Sequence, residues 1–253
     1  MKSFYTICLS LLITIGFAQQ SPNSPNQTQS TSVKAKGCVN GDCDNGWGKW
    51  VYDNGFYSGF WVNSKRHGYG LYDWNDAGKY IGFWKDDKRE GYGIYFYNEG
   101  DEMSGEFLNG ELTGLGKTYI DGKYKQGYYE NGNLKTEYTF FTNNVETGCV
   151  AGDCQNKYGR YKWANGDVFT GFFRNGNMYM GSYKFANGDK YTGMFNNQNG
   201  FHGNGRFFFQ NGEYYGGQWA NGKYHGRGYY VTKDATSMKG VWTNGSLTEP
   251  FND

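Results

Sequence analysis

Along most of this chain, large apolar residues alternate with polar residues or glycine. In "YIGFWKDDKREGYGIYFY", which starts at Tyr80, the residues Tyr80, Gly82 and Trp84 fall on one face of an extended segment. After a polar turn, Gly91, Gly93, Tyr95 and Tyr97 do the same. A period of two is the signature of a strand. The pattern therefore predicts pairs of strands joined by short turns. Asn165-Gly166, Asn187-Gly188 and Asn211-Gly212 are expected to supply the positive φ angles that tight hairpins need.

The alternation recurs. Glycines flanked by aromatic or large residues stand at Gly37, Gly59, Gly82, Gly105, Gly127, Gly148, Gly171, Gly193, Gly217 and Gly240, at successive spacings of 21 to 24 residues. Nine or ten residues after many of these comes a Gly-x-Gly pair: Gly68 and Gly70, Gly91 and Gly93, Gly114 and Gly116, Gly203 and Gly205, Gly226 and Gly228. A bare glycine weakens a strand because nothing packs there. A ring from the adjoining strand can lie across it, so that glycine and ring act as hole and lid and fix the register. A lone hairpin is marginal; a stack of hairpins is not.

The combined motif, Tyr-x-Gly-x-Trp followed by His-Gly-x-Gly at a period near 23 residues, resembles the MORN repeat family. Residues 57–79, 80–102 and 215–237 carry the resemblance best. It extends from about residue 37 to 246 and lapses over 127–147, where the Gly-x-Gly pair is missing and a bend, an irregular unit or a boundary is expected. The resemblance implies an all-β chain: an elongated, single-layer solenoid of tandem antiparallel β-hairpins. Ten such units would extend on the order of 80–95 Å at the usual strand spacing.

Composition agrees. The chain has 41 glycines and 20% aromatic residues, which suits strands and turns rather than helices. Residues 1–18 read as a signal peptide: Lys2, a short apolar run, and Gly16-Phe17-Ala18 at the cleavage position. Export to a periplasm, cell envelope or extracellular space, with cleavage near Ala18, is the expectation. Residues 19–36 have no aromatic residue and read as a disordered linker. Removing Lys2 takes the formal net charge from +1 to zero, which argues against nucleic acid as a partner.

The motifs "GCVNGDCDNGWG" at Gly37 and "GCVAGDCQNKYG" at Gly148 are near copies. They divide the repeats into one block over 37–147 and another over 148–253. Three pairings of Cys38, Cys43, Cys149 and Cys154 are open. Cys38–Cys43 and Cys149–Cys154 are favoured, because each pair sits within one hairpin of an exported chain. A four-cysteine zinc site would need the two motifs to meet, and it usually draws on Cys-x2-Cys pairs.

The sequence offers no catalytic set. His67, His202 and His225 occupy one repeat position that Glu90 and Thr113 fill elsewhere. No phosphate-binding loop is present and the acids cluster beside turn glycines, so neither catalysis nor a cofactor is expected. Phe60, Phe83, Tyr128 and Phe172 share a position off the main ring face. They form either an apolar interaction surface or local packing. The expected function is a non-catalytic, exported repeat scaffold. It would bind an unidentified protein or itself, with a membrane surface as a further partner. The alternative is an aromatic carbohydrate- or cell-wall-binding module.

Overall fold

The computed structural model describes residues 36–251. The expected signal, 1–18, and all but the last residue of the expected linker, 19–36, lie outside them. Twenty strands follow one another, from β1 (Gly37–Gly41) to β20 (Ser246–Pro250), each antiparallel to the next within its own sheet. They form two ten-stranded sheets, β1 to β10 and β11 to β20, and there is no helix among the described residues. The expected all-β architecture of tandem hairpins is what the chain adopts.

The hairpin of β3 (Gly55–Val62) and β4 (Lys65–Asp73) shows why these residues fold this way. Gly59 sits directly opposite Gly70, and Tyr57 opposite Tyr72. The Tyr57 ring lies across both glycines: a Cβ at Gly59 or Gly70 would fall 2.4 or 2.3 Å from its hydroxyl oxygen. Tyr80, Tyr191 and Tyr215 cover their own glycine pairs in the same way. Just past the glycine pair the register slips by a bulge, between Gly59 and Phe60. The Tyr57 hydroxyl donates to the Phe60 carbonyl beside this bulge at 3.1 Å, and Tyr191 and Tyr215 repeat the bond to Met194 and Gln218. The two glycines of Gly-x-Gly thus serve different ends. Gly68 takes φ +66°, a left-handed conformation that suits glycine; Gly70 leaves room for the ring.

The tight turns are not the ones that the sequence pattern singles out. At Asn165-Gly166 only the glycine has positive φ, whereas Asn175-Gly176 and Asn221-Gly222 have positive φ at both residues, the requirement of a type I′ hairpin turn. In the opening hairpin of each sheet a disulfide replaces the ring. Cys38 pairs with Cys43 and Cys149 with Cys154. The Cys43 and Cys154 sulfurs lie 2.7 and 2.8 Å from where a Cβ would stand on Gly48 and Gly159, so sulfur is the lid there.

The row of hairpins does not run on as one ribbon. Each sheet is a single layer, but residues 138–147 form no strand, only the bridge Thr142–Ala151, and the chain doubles back. The short β10 (Asn133–Glu137) has no Gly-x-Gly for a ring to cover, so the stack stops there. The second sheet then lies across the first in reverse order. Phe60 meets Phe251, Tyr69 meets Tyr229, and Tyr138 meets Phe172. The Arg227 guanidinium donates to the Trp61 carbonyl at 2.9 Å, and the Tyr179 hydroxyl binds the Glu106 carboxylate.

Each sheet therefore has its own core of rings on one face, and the two opposite faces share a third core of Tyr92, Leu115, Tyr158, Phe172 and Met180. Replacing Gly70 by Ala is expected to lower stability by about 1–3 kcal/mol through overpacking against Tyr57. Tyr57→Phe, which keeps the lid and removes one hydrogen bond, is expected to cost about 0.5–1.5 kcal/mol. Urea unfolding followed by near-ultraviolet circular dichroism measures both.

Candidate functional site: two aromatic grooves

On the ring-bearing face of each sheet, the aromatic pair that follows Gly-x-Gly extends into a ladder. In the first sheet Tyr52, Tyr72, Trp74, Tyr95 and Tyr97 succeed one another with ring centroids 4.1–5.6 Å apart. In the second, Tyr161, Trp163, Tyr183, Phe185, Phe207 and Phe209 do so at 4.6–5.6 Å. The register explains the ladder. Tyr72 and Tyr95 stand opposite the capping residues Tyr57 and Tyr80, and the period of two puts Trp74 and Tyr97 on the same face. The rings pack on the buried Trp84 or Trp219 beneath them, yet most remain partly open to solvent.

The first groove encloses about 530 Å³ between Tyr72, Trp74, Trp84 and Tyr95. Two guanidiniums border it. Arg66 lies 4.5 Å from the Trp84 ring and forms an ion pair with Asp87 at 2.9 Å. Arg89 lies 5.3–5.7 Å from Phe107, Tyr95 and Tyr80 and has no carboxylate partner among the described residues. The second groove, about 290 Å³, is more apolar, bordered by Phe201, Phe207, Phe209, Trp219 and Tyr224 with Lys223 at its side. Its ladder is braced by acids: Tyr183 donates to Asp167 at 2.8 Å and Tyr230 to Glu213 at 2.5 Å. Burial pushes both tyrosine hydroxyls up, and their hydrogen bonds to these carboxylates push them further. The rings are therefore uncharged donors at neutral pH.

The four residues expected to mark an interaction surface separate. Phe60 and Phe172 are 0% and 3% exposed and lie between the sheets, so they cannot line an open patch. The return of the chain covers them, which a period of two within one strand does not show. Phe83 is half-buried against His67, with centroids 6.3 Å apart. Tyr128 is 45% exposed. The ladder residues were visible in the sequence as alternating aromatics, but nothing along the chain said that their faces would join into a groove.

No group of histidines, cysteines or acids among the described residues is arranged to hold a metal ion. His67 lies at the edge of the inter-sheet contact, where burial lowers its pKa and the nearby Arg227 lowers it further. Asp86 acts weakly in the opposite sense, and Lys85 adds to the lowering.

The sequence pattern of the MORN repeat family matches residues 57–79, 80–102, 104–124, 158–168, 191–214 and 215–236. No curated protein matches the chain. The matched segments contain Tyr72, Trp74, Tyr95, Tyr97, Phe207 and Phe209, and hence much of both ladders.

The imidazole of His67 predicts a pH effect. A lowered folded-state pKa means that the unfolded chain takes up a proton first as pH falls below the ordinary histidine value near 6.5. Stability is therefore expected to fall as pH drops from about 7 toward 5. His67→Gln is expected to flatten that part of the profile, read as the urea midpoint against pH.

Proposed function

Because the chain belongs to the MORN repeat family, whose repeats generally mediate protein or membrane interactions, we propose that it is a non-catalytic, exported scaffold. In this reading the aromatic grooves hold an extended segment of a protein partner. The supporting observation is the groove of the first sheet: a row of rings, most of them half-open, flanked by Arg89, a guanidinium that lies against rings and has no carboxylate partner among the described residues. Aromatic and arginine side chains in concave, partly desolvated settings dominate protein binding energy. The partner that fits presents apolar side chains to Trp74 and Tyr95 and a carboxylate to Arg89. Export is supported by the two disulfides, which persist in oxidising compartments.

A carbohydrate partner is the second reading, and the ladders are what favour it. Sugars stack on exposed ring faces, however, and here many faces are already used. Tyr52 stacks on Tyr72 with an interplanar angle of 19°, and Tyr72 stacks on Trp74 at 23°. The geometry leaves edges and gaps between rings, which suit side chains better than pyranose rings.

A photoreactive amino acid at Tyr97, beside the first groove, is expected to cross-link a discrete protein in the native cell, identifiable by mass spectrometry. The same group at the exposed turn residue Gln198 is expected not to. With that partner purified, Trp74→Ala and Arg89→Ala are each expected to weaken binding tenfold or more while the fold is retained. Equal cross-linking from both positions, or unchanged affinity in both variants, defeats the groove assignment. Saturable binding on a glycan array that is lost in Trp74→Ala supports the carbohydrate reading instead.

A further inference from the structure

The faces turned away from the grooves meet each other, and they do not meet evenly. Cross-strand register places Ile81, Ile94, Ser104 and Lys117 in one transverse row of the first sheet. It places Thr170, Ser182, Thr192 and Arg206 in the corresponding row of the second. The adjacent rows carry the large residues, among them Tyr69, Tyr92, Phe172 and Met180, all buried. Those side chains fill the contact and hold the sheets apart. The neighbouring row is too small to close the gap, because Ser104, Thr170, Ser182 and Thr192 have short side chains. A cleft of about 350 Å³ results. Voids larger than a water molecule are few in close-packed interiors, and this volume lies in the lower part of the roughly 300–1,000 Å³ range of ligand pockets.

The lining is chemically divided. Buried Tyr92, Phe172 and Met180 form an apolar floor, with Ile81 and Ile94 along one wall. Among the polar groups, Glu102 and Lys117 satisfy each other at 2.9 Å. Arg206 does not have this arrangement. Its guanidinium lies 4.5 Å from the Phe208 ring and 4.1 Å from the Tyr214 ring. It has no hydrogen bond or ion pair among the described residues, and both its Nε and the neighbouring Thr192 Oγ1 are buried without a partner. Its charge is felt at the floor of the cleft, where it opposes the burial that pushes the Tyr69 hydroxyl up to about 12. A partly desolvated cation with no counter-ion is costly, and an anion in the cleft relieves that cost.

We infer that the cleft between the two sheets binds a small amphiphilic carboxylate. Its apolar body lies along Tyr92, Ile94, Phe172 and Met180, and its carboxylate meets Arg206. The size can be scaled: since a cavity of about 150 Å³ holds one benzene, this cleft takes roughly fourteen carbon-sized atoms, the size of a medium-chain fatty acid. This site lies on the opposite face of the sheets from the aromatic grooves and does not depend on them.

Isothermal titration of the purified, disulfide-bonded protein with sodium dodecanoate, below its micellar concentration, tests this. Saturable binding of one dodecanoate per chain is expected. Dodecanol, which lacks the carboxylate, is expected to bind at least tenfold more weakly. Arg206→Met is expected to weaken dodecanoate binding at least tenfold, and Ser182→Phe, which fills the cleft, to abolish it. Near-ultraviolet circular dichroism identifies variants that do not fold; should either fail, Thr192→Val, close in shape, is expected to weaken binding measurably. Trp74→Ala, in the outer groove, is expected to leave dodecanoate binding unchanged. The inference is overturned if the folded protein shows no saturable dodecanoate binding. It is also overturned if dodecanol binds as tightly with Arg206→Met unchanged, or if Trp74→Ala removes the binding.

Discussion

The contact on which the molecule depends is a tyrosine ring lying across two glycines on adjoining strands. It does three things at once. It buries a large aromatic surface in a one-layer sheet that has no second layer on that side. It fixes the register, because only a glycine opposite a glycine leaves room for the ring, as at Gly59 and Gly70 beneath Tyr57. It also satisfies the tyrosine hydroxyl on the carbonyl next to the bulge. A buried phenol without such a partner would cost more than the hydrogen bond contributes. Other lids serve as well. Phe169 covers Gly171 and Gly181 without a hydroxyl, and Cys43 and Cys154 cover Gly48 and Gly159 with sulfur. What is held constant is the hole, not the lid.

This contact frees the opposite face of each sheet. Because the rings already form a core on their own side, the residues on the other side can pack against a second sheet. The chain uses them so, with Phe60, Tyr92, Phe172 and Met180 buried where the two sheets meet. A simple repeat row would leave that apolar face exposed along its whole length, and large exposed apolar patches are uncommon unless they bind something. Folding back at residues 138–147 covers it with the chain's own second half. The duplicated cysteine motif fits this division, since each sheet opens with the same disulfide-capped hairpin.

These particulars also mark what was legible in the sequence. Strand identity, the glycine and ring pairing and the cysteine pairing are local. Each involves residues within one hairpin; the cysteine pairing was favoured among three by its place within a hairpin and by the expected export, while the strands and the glycine and ring pairing could be read from spacing. The division of labour within Gly-x-Gly could not, because the bulge that gives Gly68 its left-handed conformation is a property of the paired strands and not of either one. The role of Phe60 and Phe172 was harder still. Their burial depends on residues outside their own hairpins, Phe251 for Phe60 and Tyr138 for Phe172, and no period of two or of twenty-three encodes which face the chain will fold back upon. The grooves fall between these cases: their rings were conspicuous as alternating aromatics, while their union into ladders needed the register of successive hairpins.

Charge is where this reasoning reaches function. The formal balance of the chain is close to zero, and bulk electrostatics therefore predicts no preferred partner. The placement of individual charges says more. Glu102 with Lys117 and Arg66 with Asp87 are matched pairs, whereas Arg89 and Arg206 are each held by aromatic rings alone among the described residues. Cation–ring contacts contribute only about 0.5–2 kcal/mol and leave the outward donors of a guanidinium unused. One such arginine borders a groove on an outer face and the other borders the cleft between the sheets. In sheets built on rings packed over glycines, whose apolar surfaces discriminate poorly, Arg89 and Arg206 are groups able to select one ligand over another.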